Sequence, residues 1–183
     1  GDLFTPNQEA AFKGFLENGG GYLGIHAAGD NSHADWSWYM TDIIGTTFTG
    51  HPMEPQFQKA TVRVEDKTNP ATAHLPDAWS RTEEWYSFDK SPRKDGVTVL
   101  ATLDESTYNP GEFFGTKLAM GKDHPIIWSR CVGQGRVFYT ALGHTAASYS
   151  EPDNVQLLIG ALSWAMRLKG EGCGPNAAPV AKP

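Results

Sequence analysis

The sequence predicts an α/β domain with antiparallel additions. Three observations lead there. A helix signal at the start feeds a short apolar strand that runs straight into His26. Several period-2 or apolar strand runs then follow one another without intervening helices. The last periodic segment before the C-terminus is an amphipathic helix, suited to packing on a sheet.

The first helix is marked by Thr5 as a cap, Pro6 at the first helical position, and Phe12, Phe15 and Leu16 at helical spacing. Asn18 and the glycine run 19–21 end it, and residues 22–25 read as a buried strand. A helix that enters a central strand lacks the strand usual before it. The N-terminal strand of the sheet, with any targeting segment, is therefore expected to be missing from this chain. Residues 30–44 are rich in aromatics (Trp36, Trp38, Tyr39) and read as a helix ending at Gly45. Residues 58–65 alternate, with Ala60, Val62 and Val64 opposite Thr61 and Arg63. Residues 70–75 read as a turn or short helix, and 80–88 as a strand or strand-like loop carrying Glu83 and Glu84. An apolar strand at 97–103 precedes a polar loop over 104–122. Another strand at 125–129 is followed by the tight turn Gly133-Gln134-Gly135. The strand 136–142 leads into Gly143-His144, and 154–168 carries helical periodicity through Val155, Leu158, Ile159, Leu162 and Ala165. One domain over 1–173 results, and 174–183, rich in Gly, Pro and Ala, read as a linker or disordered tail.

Composition narrows the function. The 183 residues carry a formal charge of −6 and no basic run, which argues against a nucleic-acid partner. No apolar segment approaches the roughly 18 residues that span a bilayer, so membrane insertion is not expected. Neither of the two cysteines, Cys131 and Cys173, sits in a CxxC pair, which removes a thiol-based metal knuckle. They could form one bridge, and a bridge favours the periplasm or the cell exterior over the cytoplasm.

The chemistry gathers around histidines that follow strands. Side chains at the carboxyl ends of strands face the crevice where α/β proteins bind ligands. Small residues around His26 keep its turn tight, so the imidazole is placed as a general base, a general acid or a metal ligand, or else simply caps the strand. His144 follows the strand 136–142 in the same way, and the two converge if those strands are neighbours. Glu84 could complete a two-histidine, one-carboxylate site or orient an imidazole. Glu83 reads as its solvated companion. Trp85 and Tyr86 offer apolar faces for sugar rings or fill the core. Asp30 either binds a hydroxyl or caps the helix beginning near Ser32. His51 and His124, each before a proline, line the crevice or hold a loop. His33 and His74 read as loop histidines, and Arg81 and Lys117 as solvated cations.

Six motifs in order carry a family resemblance. They are Gly21-Tyr22-Leu23-Gly24-Ile25-His26-Ala27-Ala28, Phe48-Thr49-Gly50-His51-Pro52, Thr82-Glu83-Glu84-Trp85-Tyr86, Leu100-Ala101-Thr102-Leu103-Asp104-Glu105, Asp123-His124-Pro125-Ile126 and Tyr139-Thr140-Ala141-Leu142-Gly143-His144-Thr145. From about Leu3 to Cys173 the chain resembles the trehalose-utilisation (ThuA-like) family. The resemblance implies a class I glutamine-amidotransferase-like, flavodoxin-like fold of three layers. Its central sheet is mostly parallel with helices on both faces, and antiparallel strands are added. Glutaminase activity is not implied, because His26 stands where those enzymes place a cysteine nucleophile. Family members accompany sugar dehydrogenases that oxidise disaccharides to 3-keto forms. The resemblance thus implies a carbohydrate enzyme that isomerises, eliminates from or hydrolyses such sugars. His26, His144 and Glu84 would be catalytic or hold a divalent metal such as zinc. Asp30, Trp85, Tyr86, His51 and His124 would contact the sugar. No nucleotide cofactor is expected, and the expected macromolecular partner is a second copy or a fused neighbouring domain. The alternative is a non-catalytic sugar-binding or scaffolding domain of a larger exported protein.

Overall fold

A computed structural model describes residues 3–93 and 96–173. The expected tail at 174–183 lies outside the described residues. Helix α1 (Pro6–Glu17) starts where the sequence places it, with the Gln8 side chain accepting from the Thr5 N–H at 2.9 Å. Strand β1 (Gly21–Ile25) follows, then a 3₁₀ turn, His26–Gly29. The helix expected over 30–44 is instead two short pieces. Asp30 accepts from Ser32 N at 2.7 Å and opens only the 3₁₀ turn Asn31–His33. A π-helical turn, Tyr39–Ile44, then ends at left-handed Gly45 (φ 85°), whose N–H reaches back five residues to Met40 O at 2.8 Å. The buried rings of Trp36 and Tyr39 set this geometry ahead of regular helical bonding.

The remaining elements are β2 (Phe48–Gly50), β3 (Phe57–Val64), β4 (Ala78–Glu84), β5 (Ser87–Phe88), β6 (Val97–Asp104), β7 (Glu112–Phe113), β8 (Thr116–Lys117), β9 (Pro125–Val132), β10 (Gly135–Thr140) and α2 (Pro152–Ala165). The main sheet has six strands in the order β1-β10-β9-β6-β3-β4. It is the mixed α/β sheet expected, but its balance of orientations differs from the parallel majority the resemblance implies. Only β1 and β10 pair parallel, and the other four pairings are antiparallel. The connections explain this. The tight Gly133-Gln134 turn joins β9 to β10, and β3 and β4 also pair antiparallel, whereas parallel neighbours need a long crossover. The stretch 80–88 divides, because β5 leaves the main sheet to pair with β2. The loop 104–122 contains the small hairpin β7–β8.

Side-chain alternation along β10 sorts the layers. Phe138 faces α2 and meets Trp164 at 6.5 Å between ring centroids. Tyr139 faces the other side, 4.5 Å from Trp128, whose indole donates to Ile44 O at 3.1 Å. On that same side Phe12 of α1 packs edge-on to Tyr22, which stands opposite Val137. Helical segments therefore cover both faces, and the core between them is aromatic and aliphatic. A disulfide joins Cys131 of β9 to Cys173, beyond α2, across 42 residues of sequence.

Candidate functional site at the strand ends

His26 occupies the first position after β1 with φ 48°, a left-handed conformation that is strained for a side chain of this size. Two contacts hold it. Its Nδ1 lies 2.8 Å from Ala141 O, and the Tyr139 hydroxyl donates to His26 O at 2.9 Å. Gly29 leaves room for that tyrosine, since a β-carbon there would stand 2.3 Å from the Tyr139 ring and hydroxyl. A carbonyl only accepts, so Nδ1 donates to Ala141 O, and Nε2 is the ring atom turned to the centre.

Two further polar atoms meet it there. His26 Nε2 is 2.9 Å from Glu84 Oε2 and 3.1 Å from His144 Nδ1, and the last two atoms are 3.0 Å apart. Glu84 comes from the end of β4 and His144 from the loop after β10. The other Glu84 oxygen, Oε1, accepts from the Gln56 amide and lies 3.5 Å from His51 Nε2. Burial would raise the Glu84 carboxyl. The Gln56 amide, then His51, His144 and His26, outweigh it and hold the group below the ordinary carboxylate value. Glu84 is thus an anion at neutral pH.

Glu83 has the opposite role from the solvated one expected. It is 1% exposed, and its carboxylate accepts from Gly143 N at 3.1 Å, His144 N at 3.3 Å and the Ser148 hydroxyl at 2.9 Å. Arg81, expected in solvent, is buried with it at 2.9 Å and also reaches Glu151 at 3.1 Å. Its guanidinium stacks over Trp79 at 4.6 Å. Adjacent strand residues face opposite ways. One member of the acidic pair therefore reaches the imidazoles, and the other fixes the backbone that carries His144.

The other candidates separate into those near the centre and those behind it. The Tyr86 ring lies 4.0 Å from His26, and burial, then the Glu84 charge, pushes its hydroxyl up so that it remains a neutral phenol. Trp85, read as a face for sugar or as core, is core: it is buried, with its indole donating to Gln58 O at 2.7 Å. His124 is fully buried. It bonds Tyr86 O and Glu105 Oε1, both at 2.8 Å, and so holds Tyr86 in place. Asp30 caps its turn as described. His74 bonds Asp153 O at 2.9 Å away from the centre, and Lys117 is exposed on β8. Sequence reasoning missed Gln56 and the Arg81–Glu83 pair. The strand alternation 81–83 was the available signal for the pair, since it places both on one face.

The three atoms from His26, Glu84 and His144 form a triangle with sides of 2.9 to 3.1 Å. Ligands about 2.1 Å from a six-coordinate ion lie roughly 3 Å apart when adjacent, so this donor set fits a divalent cation. Among the described residues it is the one group of that kind.

Fold and site together define a mixed-sheet α/β protein in which two histidines and a carboxylate converge past the ends of three strands. The chain belongs to the ThuA family, described as trehalose utilisation, whose family model matches residues 1–165. Among solved structures it is similar to a putative ThuA-like protein from Bacteroides uniformis, at 28% identity and a TM-score of 0.71. That match covers 88% of this chain and 64% of the Bacteroides chain, so the present sequence spans under two thirds of that relative's length. A second, from Parabacteroides merdae, shares the fold at 22% identity and a TM-score of 0.67, covering 98% of this chain and 72% of its own. Comparison with curated proteins found no match.

Proposed function

We propose that this chain acts on disaccharides or their 3-keto derivatives, with His26, Glu84 and His144 holding a divalent ion. The observation that carries this reading is the convergence of three electron-pair atoms, each from a different strand end, within 3.1 Å of one another. When bound, such an ion supplies Lewis-acid stabilisation to a sugar carbonyl or to the enediolate that forms beside it. A ketone acidifies the neighbouring C–H, and an imidazole of near-neutral pKa suits its removal.

The chain's own groups have distinct parts in that chemistry. His26 Nδ1 is committed to Ala141 O, which aims Nε2 at the centre. Gln56 fixes Glu84 Oε1, so Oε2 faces the His26 and His144 imidazoles. His51 Nδ1 lies 3.0 Å from Pro52 O, which turns Nε2 toward the Glu84 carboxylate and sets this imidazole beside the centre, where it would move a substrate proton. The neutral Tyr86 phenol, beside His26, suits hydrogen bonding to a sugar hydroxyl. Proton removal next to the carbonyl then leads to isomerisation or to loss of a glycosidic leaving group. The disulfide supports an oxidising compartment, the periplasm or the cell exterior.

The test is elemental analysis of protein purified without chelator, followed by NMR of trehalose and 3-keto-trehalose in D2O. About one divalent ion per chain is expected, lost in E84A and H144A. Deuterium should enter the carbon beside the ketone with wild type and not with H26A. Metal-free wild type that leaves both sugars unchanged overturns the reading in favour of plain binding.

A further inference from the structure

Phe114 stands at the tip of the β7–β8 hairpin, 92% exposed and with φ 46°. Its neighbour Gly115 has φ 81°, and Phe113 pairs with Thr116 across the two-residue turn. Positive φ at both central positions marks a type I′ turn, where Asn, Asp or Gly is favoured because a side chain crowds the backbone. A phenyl ring there has neither a relaxed backbone nor burial to favour it. Its position makes sense through a contact with something outside the fold.

The surroundings indicate what that is. Phe113, 4.7 Å from Phe114, rests on Gly50, where a β-carbon would stand 2.6 Å from the ring. The same ring is 5.4 Å from His51, itself beside Glu84. Phe57, 40% exposed, lies edge-on to His144 at 5.2 Å. From Phe57 through His144, His26, Tyr86, His51 and Phe113 to Phe114, each ring centroid is within 6.1 Å of the next. The centre therefore lies along an aromatic track with an exposed phenyl at each end.

We propose that Phe57 and Phe114 are the stacking platforms of two pyranose subsites, one at each end of the track through the His26–Glu84–His144 centre. A pyranose has an apolar face of C–H groups that stacks on an aromatic ring while its hydroxyls reach polar partners. Two platforms with the polar centre between them select a disaccharide, whose linkage or keto carbon lies over the centre. The inference deepens the proposed function and rests on it for the sugar class. Self-association through Phe114 has little apolar area to use, because Glu112 and Lys117 flank it and are exposed.

The experiment measures trehalose, 3-keto-trehalose and glucose binding by calorimetry and saturation-transfer NMR, on wild type, F114N and F57T, with and without chelator. Each substitution is expected to weaken disaccharide binding about three- to tenfold, with the smaller glucose bound more weakly throughout. F114N should melt no lower than wild type, because asparagine suits a positive φ. Wild-type affinity in F114N, or no disaccharide binding to wild type at about 20 mM, overturns the proposal. A change of sedimentation in F114N with unchanged sugar binding also overturns it, in favour of self-association. Failure of the catalytic reading looks different, since it leaves sugar binding sensitive to Phe57 and Phe114 while ion and deuterium exchange are absent.

Discussion

Replacing Glu83 by alanine tests how the His144 loop is held. Glu83 and Arg81 are each 1% exposed in their side chains and lie 2.9 Å apart. Loss of the carboxylate leaves a buried guanidinium with Glu151, which is 37% exposed, as its remaining ion-pair partner. The Gly143 and His144 N–H groups and the Ser148 hydroxyl also lose their acceptor. Breaking a buried pair on one side costs about 3–5 kcal/mol. At roughly 2–4 °C per kcal/mol for a domain of this size, Tm should fall on the order of 10 °C. Urea denaturation at pH 7, with a thermal melt alongside, gives both numbers. The double variant Arg81→Met/Glu83→Leu should recover most of the stability, since apolar pairs replace buried ion pairs at little cost. It should not recover ion affinity, because the backbone carrying His144 still lacks its acceptor. A loss below about 1 kcal/mol in E83A would refute the reasoning.

Further outcomes follow from other parts of the structure. Burial would raise the Glu105 carboxyl, but His124 and the N–H groups of Met120 and Gly121 outweigh it and hold the group below the ordinary value. Its stabilisation is therefore present above the ordinary glutamate value and lost as pH falls through the lower folded value. Glu105→Gln should be less stable at pH 7 and converge with wild type in acid, and an unchanged slope of stability against pH would count against this. The Cys131→Ser/Cys173→Ser variant opens a link across 42 residues and should lose about 2–4 kcal/mol, while unreduced wild type in denaturant should titrate no thiol. Gly29→Ala should destabilise by about 1–3 kcal/mol, because its β-carbon meets the fully buried Tyr139 ring, and ion affinity should drop with it. Gly14→Ala, with open space around it in α1, should instead stabilise by about 0.5–1 kcal/mol in the same melts.

The strands that position the centre were legible because their cues are local. An apolar run into His26, and another into Gly143-His144, mark strand ends in any α/β chain, and both lie next to each other in the sheet. Glu84 was legible as a candidate through its neighbours. Alternation sets Glu83 and Glu84 on opposite faces, but not which face is buried around an ion pair, because that depends on Arg81 being drawn into the interior by Glu83, Ser148 and Glu151. Trp85 reads either way in sequence, since an indole suited to stacking on sugar suits a core equally well. The helix expected over 30–44 failed because Trp36 and Tyr39, which suggested it, are buried among short 3₁₀ and π-helical pieces instead. The hairpin 112–117 was hidden by polar composition, and nothing in sequence showed that Phe114 would take a left-handed turn position.

The sheet begins with β1 and finishes with β4, five strand spacings or about 24 Å apart along a flat ladder. Yet His26, just past the first strand, touches Glu84, the last residue of the final one. The centre is thus a clasp between the ends of two strands that the ladder keeps apart. A ligand seated there binds only when both strand ends are home, so its binding energy opposes the fraying of either one. Hydrogen exchange in β1 and in β4 should slow together on occupancy, although no backbone hydrogen bond connects the two strands.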